Sequence, residues 1–192
     1  MNSQTAYFPP FTVDFDLQAG IMLNPDRSKS TRASTMIPYY RDRAAIEALA
    51  ADGDPVHYEV FEKNIPTEEG HIMICISKLL PGKIGDEFFM TKGHYHQRIA
   101  TAETYLCLSG EGYMLMKTPE GECRAESFRP GRMVYVPPYW AHRSINTGKT
   151  PLITFCNYPA HAGLNYGDIL TEGFPKLIVD SAQGPVLVDR GS

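Results

Sequence analysis

Three histidines and one glutamate in the middle of the chain have the residue types that bind a divalent transition metal. His94 and His96 flank one tyrosine, Glu103 follows after six intervening residues, and His142 comes later. Imidazole nitrogens with a carboxylate oxygen form a ligand set suited to such an ion. If residues 94–96 lie on a strand, both rings share a face, because side chains alternate along a strand. The alternative is that these are loop histidines and a solvated surface charge.

The residues around Glu103 favour the metal site over that alternative. In a strand over residues 103–108, Glu103, Tyr105 and Cys107 share one face, and the opposite face is also largely apolar. Both faces should therefore be covered. A carboxylate buried without a partner costs several kcal/mol, and a metal ion supplies such a partner. Tyr105 should line the same cavity as Glu103, although packing in the core is its simpler role.

Composition predicts one soluble domain that binds neither nucleic acid nor membrane. The chain has 192 residues, ordinary apolar content and a net charge of −4, with Lys and Arg scattered. No apolar stretch reaches about 18 residues, and the beginning of the chain lacks an export signal. A cytoplasmic location is therefore expected. The four cysteines are far apart and are predicted to be free thiols, mostly buried.

The periodicity of the sequence predicts an all-β sandwich or barrel with a small helical decoration. Residues 1–38 are expected to form an extended arm with one strand near residues 12–15, and residues 41–51 an amphipathic helix that Gly53 and Pro55 end. After the helix the period changes to two, and Pro and Gly turns separate the segments. The predicted strands are 56–61, 72–80, 87–90, 103–108, 113–117, 122–128, 133–136, 152–158, 176–180 and 186–189.

Two blocks of residues resemble the two signature motifs of the cupin superfamily. The first runs from His94-x-His96 through Glu103 to Gly110, and the second has the spacing Gly-x5-Pro-x4-His-x3-Asn over residues 131–146. The sequence departs from these motifs in two places. The gap between His96 and Glu103 is longer than usual, and Tyr139 stands where a glycine is common. The resemblance implies a cupin double-stranded β-helix, or jelly-roll barrel, with a short N-terminal helix and an extended arm.

Longer segments are similar to one cupin subfamily, the cupin-type phosphoglucose isomerases. Residues 87–96 and 134–143 carry the closest likeness, which extends over residues 54–180 and more weakly over the arm. The resemblance implies an arm and helix over residues 1–53 packed on a barrel over residues 54–192. It also implies a cytoplasmic homodimer that interconverts glucose 6-phosphate and fructose 6-phosphate in glycolysis and gluconeogenesis.

This resemblance also implies roles for individual residues. One divalent ion per subunit, Fe²⁺ in preference to Mn²⁺, Ni²⁺ or Zn²⁺, would be held by His94, His96, Glu103 and His142. Glu103, Tyr158 and His142 would take part in the reaction. The sugar phosphate would be bound by neutral donors, with strand alternation pointing Lys92 away. These binding residues are Tyr58, Ser77, Thr91, the Gly93 backbone N–H, Tyr105 and Tyr166.

Several alternatives stay open from the sequence alone. Tyr58 and Ser77 could be ordinary strand residues, and Tyr158 could simply pack in the barrel. Leu164 stands where the family can have a histidine, and His161 lies three residues earlier. The ligand set would also suit an iron or manganese dioxygenase or an oxalate-degrading cupin. A sugar-binding cupin without catalytic activity is the remaining alternative.

Overall fold

The computed structural model describes residues 7–191, in which short strands are the main regular secondary structure. The strands are β1 (Phe15–Asp16), β2 (Ile21–Met22), β3 (Arg27–Arg32), β4 (Val56–Glu62), β5 (Ile72–Leu79), β6 (Lys83–Ile84), β7 (Glu87–Phe88), β8 (Tyr95–His96), β9 (Glu103–Ser109), β10 (Gly112–Lys117), β11 (Cys123–Phe128), β12 (Met133–Val136), β13 (Ala141–Asn146), β14 (Leu152–Pro159), β15 (Leu164–Asn165), β16 (Lys176–Ser181) and β17 (Gly184–Asp189). The helices are α1 (Ala33–Met36), a 3-10 turn (Ile37–Tyr39), α2 (Arg43–Ala51) and α3 (Gly167–Glu172).

Antiparallel sheets form the framework of the molecule. The largest has six strands in the order β12-β9-β14-β5-β4-β3, and a second has the order β11-β10-β13. Isolated bridges from Ile145 to Met90 and from His142 to His94 extend the second sheet beyond β13. One cluster of buried apolar side chains includes Tyr105 of the first sheet and Met114 of the second. The prediction of an all-β fold is confirmed.

Side-chain alternation along β9 points the predicted ligand into the interior. Glu103, Tyr105 and Cys107 are buried, whereas Thr104 and Leu106 between them are half-buried. β9 lies between β12 and β14, so both of its edges are hydrogen-bonded. The predicted face of this strand is therefore confirmed, and Glu103 is held on a rigid element.

Most predicted strands are present with ends that differ by at most three residues, but several strands were not predicted, of which β3 and β13 are the longest. β3 pairs with β4 along its whole length, so the polar residues 27–32 are the edge strand of the six-stranded sheet and not an irregular arm. β13 carries His142 and pairs with β10. The division of the chain at residues 53 and 54 stays a prediction, and the described part of the arm is hydrogen-bonded to the barrel through β3.

The predicted amphipathic helix is present and begins two residues later than expected. The Asp42 side chain accepts a hydrogen bond from the Ala45 N–H at 2.9 Å and caps the helix. Ile46 is fully buried and anchors it to the core. α1 and α3 are single turns that the periodicity did not indicate. Within residues 7–191, no helix is long and apolar enough to cross a membrane.

Two of the four cysteines form a disulfide, so the prediction of four free thiols was wrong. Cys75 of β5 and Cys156 of β14 lie directly opposite in the register, with their Cα atoms 5.3 Å apart. That separation suits a disulfide bond. Cys107 is free and buried, as expected, and Cys123 is free and half-buried. Only the strand pairing, which joins segments 81 residues apart, brings the bonded cysteines together.

Candidate metal and substrate site

The backbone brings the predicted metal ligands together from both sheets. His94 and His142 pair across an antiparallel bridge, in which their N–H groups donate to each other's carbonyl oxygens at 3.2 and 3.0 Å. This pairing places the two imidazole ring centres 4.4 Å apart. His96 follows on β8, and Glu103 approaches from β9. Side-chain alternation points Tyr95, which lies between His94 and His96, away from the cluster.

The four side chains present their ligand atoms to one point. One donor atom from each of His94, His96, Glu103 and His142 lies within 4.8 Å of the other three. Glu103 Oε2 is 3.1 Å from His96 Nε2 and 3.0 Å from His142 Nε2. His94 Nε2 is buried and has no hydrogen-bond partner. Since a buried unpaired polar atom is costly, this nitrogen is the strongest indication that the cluster fits a cation.

Outer hydrogen bonds fix the orientation of two imidazoles. His96 Nδ1 lies 2.8 Å from Thr101 Oγ1 and 3.1 Å from the Thr101 carbonyl oxygen. His142 Nδ1 lies 3.4 Å from the Trp140 carbonyl oxygen. In each ring the other nitrogen, Nε2, therefore faces the centre of the cluster. Metal-binding histidines are commonly oriented in this way.

Electrostatics keep two of these groups in the protonation states that bind a metal. Burial acts to raise the pKa of Glu103, but hydrogen bonds from His142 and His96 outweigh it and hold the pKa at about 2. Burial lowers the pKa of His94 well below its usual range, and the neighbouring His142 lowers it further. Glu103 is thus a carboxylate and His94 a neutral imidazole at neutral pH, as metal binding requires.

A cavity of about 260 Å³ opens beside the cluster. This volume is slightly below the range of about 300–1,000 Å³ typical of pockets for small ligands. All the predicted substrate-binding residues line it, together with two of the metal ligands and Tyr158. These lining residues are Tyr58, Ser77, Thr91, Gly93, His94, Glu103, Tyr105, Tyr158 and Tyr166.

Three tyrosine rings lie against the imidazoles. Tyr166 is 5.6 Å from His94, Tyr158 is 5.8 Å from His96, and Tyr105 is 5.6 Å from His142, measured between ring centres. Burial raises the pKa of all three hydroxyls, and the charge of Glu103 raises them further. They are therefore protonated at neutral pH and can donate hydrogen bonds to a bound ligand.

The segment Thr91–Gly93 is held rigidly at one side of the cavity. The Thr91 N–H donates to the Ser144 carbonyl oxygen at 2.9 Å, and the Ser144 N–H donates to Thr91 Oγ1 at 3.1 Å. Gly93 has a φ of 76°, and a Cβ atom there would lie only 2.9 Å from Phe174. This position requires glycine for both reasons.

Lys92 is among the lining residues, but its Nζ lies 5.8 Å from the ring centre of Tyr39, which does not line this cavity, so its direction stays a prediction. Residues 91–93 are not in a strand, and the alternation argument does not apply to them. Lys29 of β3 lines the same cavity. Burial lowers the pKa of Lys92, and the charge of Lys29 lowers it further. The lining therefore includes two lysines beside the neutral donors.

The structure adds residues that sequence reasoning missed. Ser144 lines the cavity, and its position two residues after His142 was a usable signal once that segment is known to be a strand. The Cys75–Cys156 disulfide and Glu62 also line it. These residues come from β4, β5 and β14 and have no local motif.

Two departures from the family pattern are visible in the structure. Leu164 lines the cavity at the position where the family can have a histidine, and His161 is absent from the described lining. Tyr139 has a φ of 73°, the left-handed conformation that glycine favours, and its N–H donates to the Ile99 carbonyl oxygen at 2.7 Å. The backbone shape typical of glycine is therefore kept at Tyr139.

A β-barrel in which histidines and a glutamate meet beside a cavity defines this chain as a cupin. Two solved structures of oxalate oxidase share the fold. One, in complex with glycolate, has a TM-score of 0.50 at 17% identity and covers 61% of this chain and 58% of its own. The other has a TM-score of 0.50 at 15% identity and covers 70% of this chain and 63% of its own. At this identity the likeness establishes the fold alone.

Sequence comparison then identifies the family. The family model for glucose-6-phosphate isomerase (GPI) matches residues 30–186. Proteins named glucose-6-phosphate isomerase are 48% identical in Thermococcus litoralis, covering 95% of both chains, and 43% identical in Pyrococcus furiosus, covering 96% of this chain and 97% of the relative. The chain belongs to the glucose-6-phosphate isomerase family, in its cupin type.

Proposed function

We propose that this protein is a metal-dependent isomerase that interconverts glucose 6-phosphate and fructose 6-phosphate. The observation that carries the proposal is the meeting of three imidazole nitrogens and one carboxylate oxygen within 4.8 Å at the wall of a small cavity. Relatives of nearly equal length that bear the name of this activity support it.

The phosphate group would bind at the end of the cavity formed by Thr91 and Gly93. The hydroxyls of Ser77, Tyr58 and Tyr166 line the same cavity and offer further donors. Lys92 and Lys29 add positive charge near this end. Neutral donors and backbone N–H groups bind phosphate well where water is excluded, and the lysines would mainly attract the charged substrate.

The divalent cation would be held by His94, His96, Glu103 and His142. When bound, it would act as a Lewis acid that stabilises negative charge on the sugar oxygens. Glu103 is the candidate base that moves a proton between C1 and C2 of the sugar. Tyr105 lies beside this carboxylate, whose charge raises the pKa of the hydroxyl and keeps it protonated. Tyr158, at the same wall, can donate a hydrogen bond to a sugar oxygen.

A coupled assay of fructose 6-phosphate conversion tests the proposal. Activity is expected to disappear on chelation and to return when Fe²⁺, Mn²⁺, Ni²⁺ or Zn²⁺ is added, which also ranks the metals. The same rate is expected without oxygen, as an isomerase requires and a dioxygenase does not allow. Full activity of the chelated protein would refute the role of the cation.

Isotope incorporation separates two routes for the hydrogen transfer. A proton moved by Glu103 through a cis-enediol exchanges with solvent, so turnover in D₂O should place deuterium at C1 or C2. A direct hydride shift between the carbons leaves the product unlabelled. Glu103, the one carboxylate at the metal cluster of the described chain, would carry the proton in the enediol route and would act only as a metal ligand in the hydride route.

The oligomeric state and location follow from the family resemblance and stay predictions. We expect a homodimer, with twice the mass of the 21.4 kDa chain, in the cytoplasm. Light scattering coupled to size-exclusion chromatography measures the mass directly. A monomer at micromolar concentration would contradict the prediction.

A further inference from the structure

A second, smaller cavity has an arginine-rich wall that the isomerase site does not use. Its volume is about 120 Å³, and Arg43, Arg143 and Arg190 all line it. Glu172 is the one carboxylate among its described lining residues, and it pairs with Lys117 at 3.3 Å. No residue lines both this cavity and the substrate cavity. The arginine cavity therefore has a surplus of positive charge.

Arg143 is buried and Arg190 half-buried, and neither has an ionic partner among the described residues. Arg143 is 1% exposed, and its guanidinium contacts only neutral groups: the Lys92 carbonyl oxygen at 2.7 Å, Met90 Sδ at 3.0 Å and the Phe174 ring at 4.3 Å. Its Nε is buried with no partner. Nη1 of Arg190 is also buried with no partner. Among the described residues, neither arginine has a carboxylate within ion-pair distance.

Such an arrangement is costly unless an anion completes it. A buried charge without a counter-ion costs several kcal/mol, and two guanidinium groups near each other repel. Burial and, to a smaller extent, the charge of Arg190 lower the pKa of Arg143 to about 10, so the group is still charged at neutral pH. Glu87 is a buried carboxylate whose charge acts on both Arg143 and Arg190, while its Oε1 accepts from the Arg41 backbone N–H and its Oε2 has no hydrogen-bond partner. Its single charge does not balance the three arginines that line the cavity.

We propose that the arginine cavity binds a small oxyanion of the size of phosphate, separately from the sugar-phosphate cavity. Guanidinium groups donate in a planar fork that fits the oxygens of phosphate and sulfate. Arg190 would bind the anion from the buried side, and Arg43, at the start of α2, from the exposed rim. Arg143 would contribute its charge while it holds the Lys92 carbonyl.

Binding stoichiometry tests the proposal, and it can be read separately from the isomerase function. Equilibrium dialysis with labelled inorganic phosphate should give two phosphates per wild-type chain. Fructose 6-phosphate should displace only the one bound at Thr91 and Gly93. Thr91→Val should lose that phosphate and keep the second, and this result would hold even if the protein proved not to be an isomerase.

Substitutions of the cavity arginines test whether the second phosphate binds in the arginine cavity. Arg190→Gln should weaken its binding about 10- to 100-fold, the value of one or two charge-assisted hydrogen bonds. Arg43→Gln, at an exposed position where folding is not at risk, should weaken it about threefold to tenfold. Arg129→Gln removes the same charge from an exposed turn and should change nothing.

Two outcomes would overturn the proposal. One is a single phosphate per wild-type chain that Thr91→Val abolishes. The other is a second phosphate whose affinity is equal in Arg43→Gln, Arg190→Gln and Arg129→Gln, since this would place it outside the cavity. Repeating the measurement with sulfate distinguishes a general oxyanion site from one selective for phosphoryl groups: sulfate should compete for the arginine cavity.

Discussion

His57 is a buried histidine outside the metal cluster, and it should make stability depend on pH. It is fully buried, stacks on Phe89 with ring centres 3.8 Å apart, and has no hydrogen-bond partner on either nitrogen. Burial lowers its pKa from 6.5 to about 4. The unfolded chain therefore binds more protons between these values, and stability falls as the pH drops through this range. We expect a loss of about 3 kcal/mol by pH 4.

Denaturant unfolding of variants between pH 7 and 4 checks this expectation. His57→Phe keeps the ring stacking and removes the titrating group, so its stability should fall by about 3 kcal/mol less than that of the wild type. His71→Gln, a half-buried histidine on another part of the chain, should behave like the wild type. Parallel pH profiles for wild type and His57→Phe would contradict the expectation.

Lys92 should contribute to substrate affinity more than to the chemical step. It lines the substrate cavity but is partly exposed, so its charge is screened. We expect Lys92→Met to raise KM about twofold to fivefold and to leave kcat nearly unchanged, the signature of lost uniform binding. Lys78→Met is the matched control, because Lys78 is on β5 next to Ser77 but outside the described cavity lining. An equal rise in KM for both variants would contradict a specific role of Lys92 in substrate binding.

Local spacing was enough to find the metal ligands, but strand alternation gives no reliable direction for Lys92. The positions from His94 to Glu103 and around His142 form a motif that does not depend on the rest of the fold. The orientation of Lys92 was deduced from strand alternation, and the backbone there is irregular. Lys29 and Glu62 reach the cavity only because β3 and β4 pair at the edge of the large sheet. No single segment of sequence contains that information.

The disulfide between β5 and β14 joins two central strands of the large sheet. A bond across 81 residues restricts the unfolded chain, which typically contributes about 2–4 kcal/mol. Reduction should therefore lower Tm by on the order of 10 °C for a chain of this length. The double variant Cys75→Ala/Cys156→Ala should show the lower Tm and no further response to reductant. If reductant still lowered the Tm of this double variant, the effect of reduction would have to come from a group other than this disulfide.

Strands β3 and β13 show where pattern reasoning fails. All six residues of β13 are buried, including His142, Arg143, Ser144 and Asn146, so no alternation of polar and apolar residues is visible. These polar side chains are buried on this strand because they form the site or position its other residues. β3 is almost entirely polar because it is an edge strand, where charged side chains prevent pairing with other chains. Both exceptions have a physical reason that becomes evident only in the sheet.

The metal cluster connects the two main sheets, so cation binding should stabilise the whole molecule. Glu103 belongs to the six-stranded sheet, and His142 belongs to the sheet that faces the same core. A ligand that binds only the folded state at 100 times its Kd adds about 2.7 kcal/mol of stability. For a chain of this length that corresponds to a rise in Tm of roughly 5–10 °C.

Thermal unfolding of the chelated protein, with and without added divalent cation, measures this coupling. His142→Ala should lose most of the rise in Tm, bind less metal by elemental analysis and lose activity by more than about 100-fold. His161→Ala removes a histidine outside the described cavity lining and should respond to the cation like the wild type. If His142→Ala kept the full rise, the cation would be bound elsewhere. A rise confined to chains with all four ligands would instead show that the residues proposed for catalysis also hold the two sheets together.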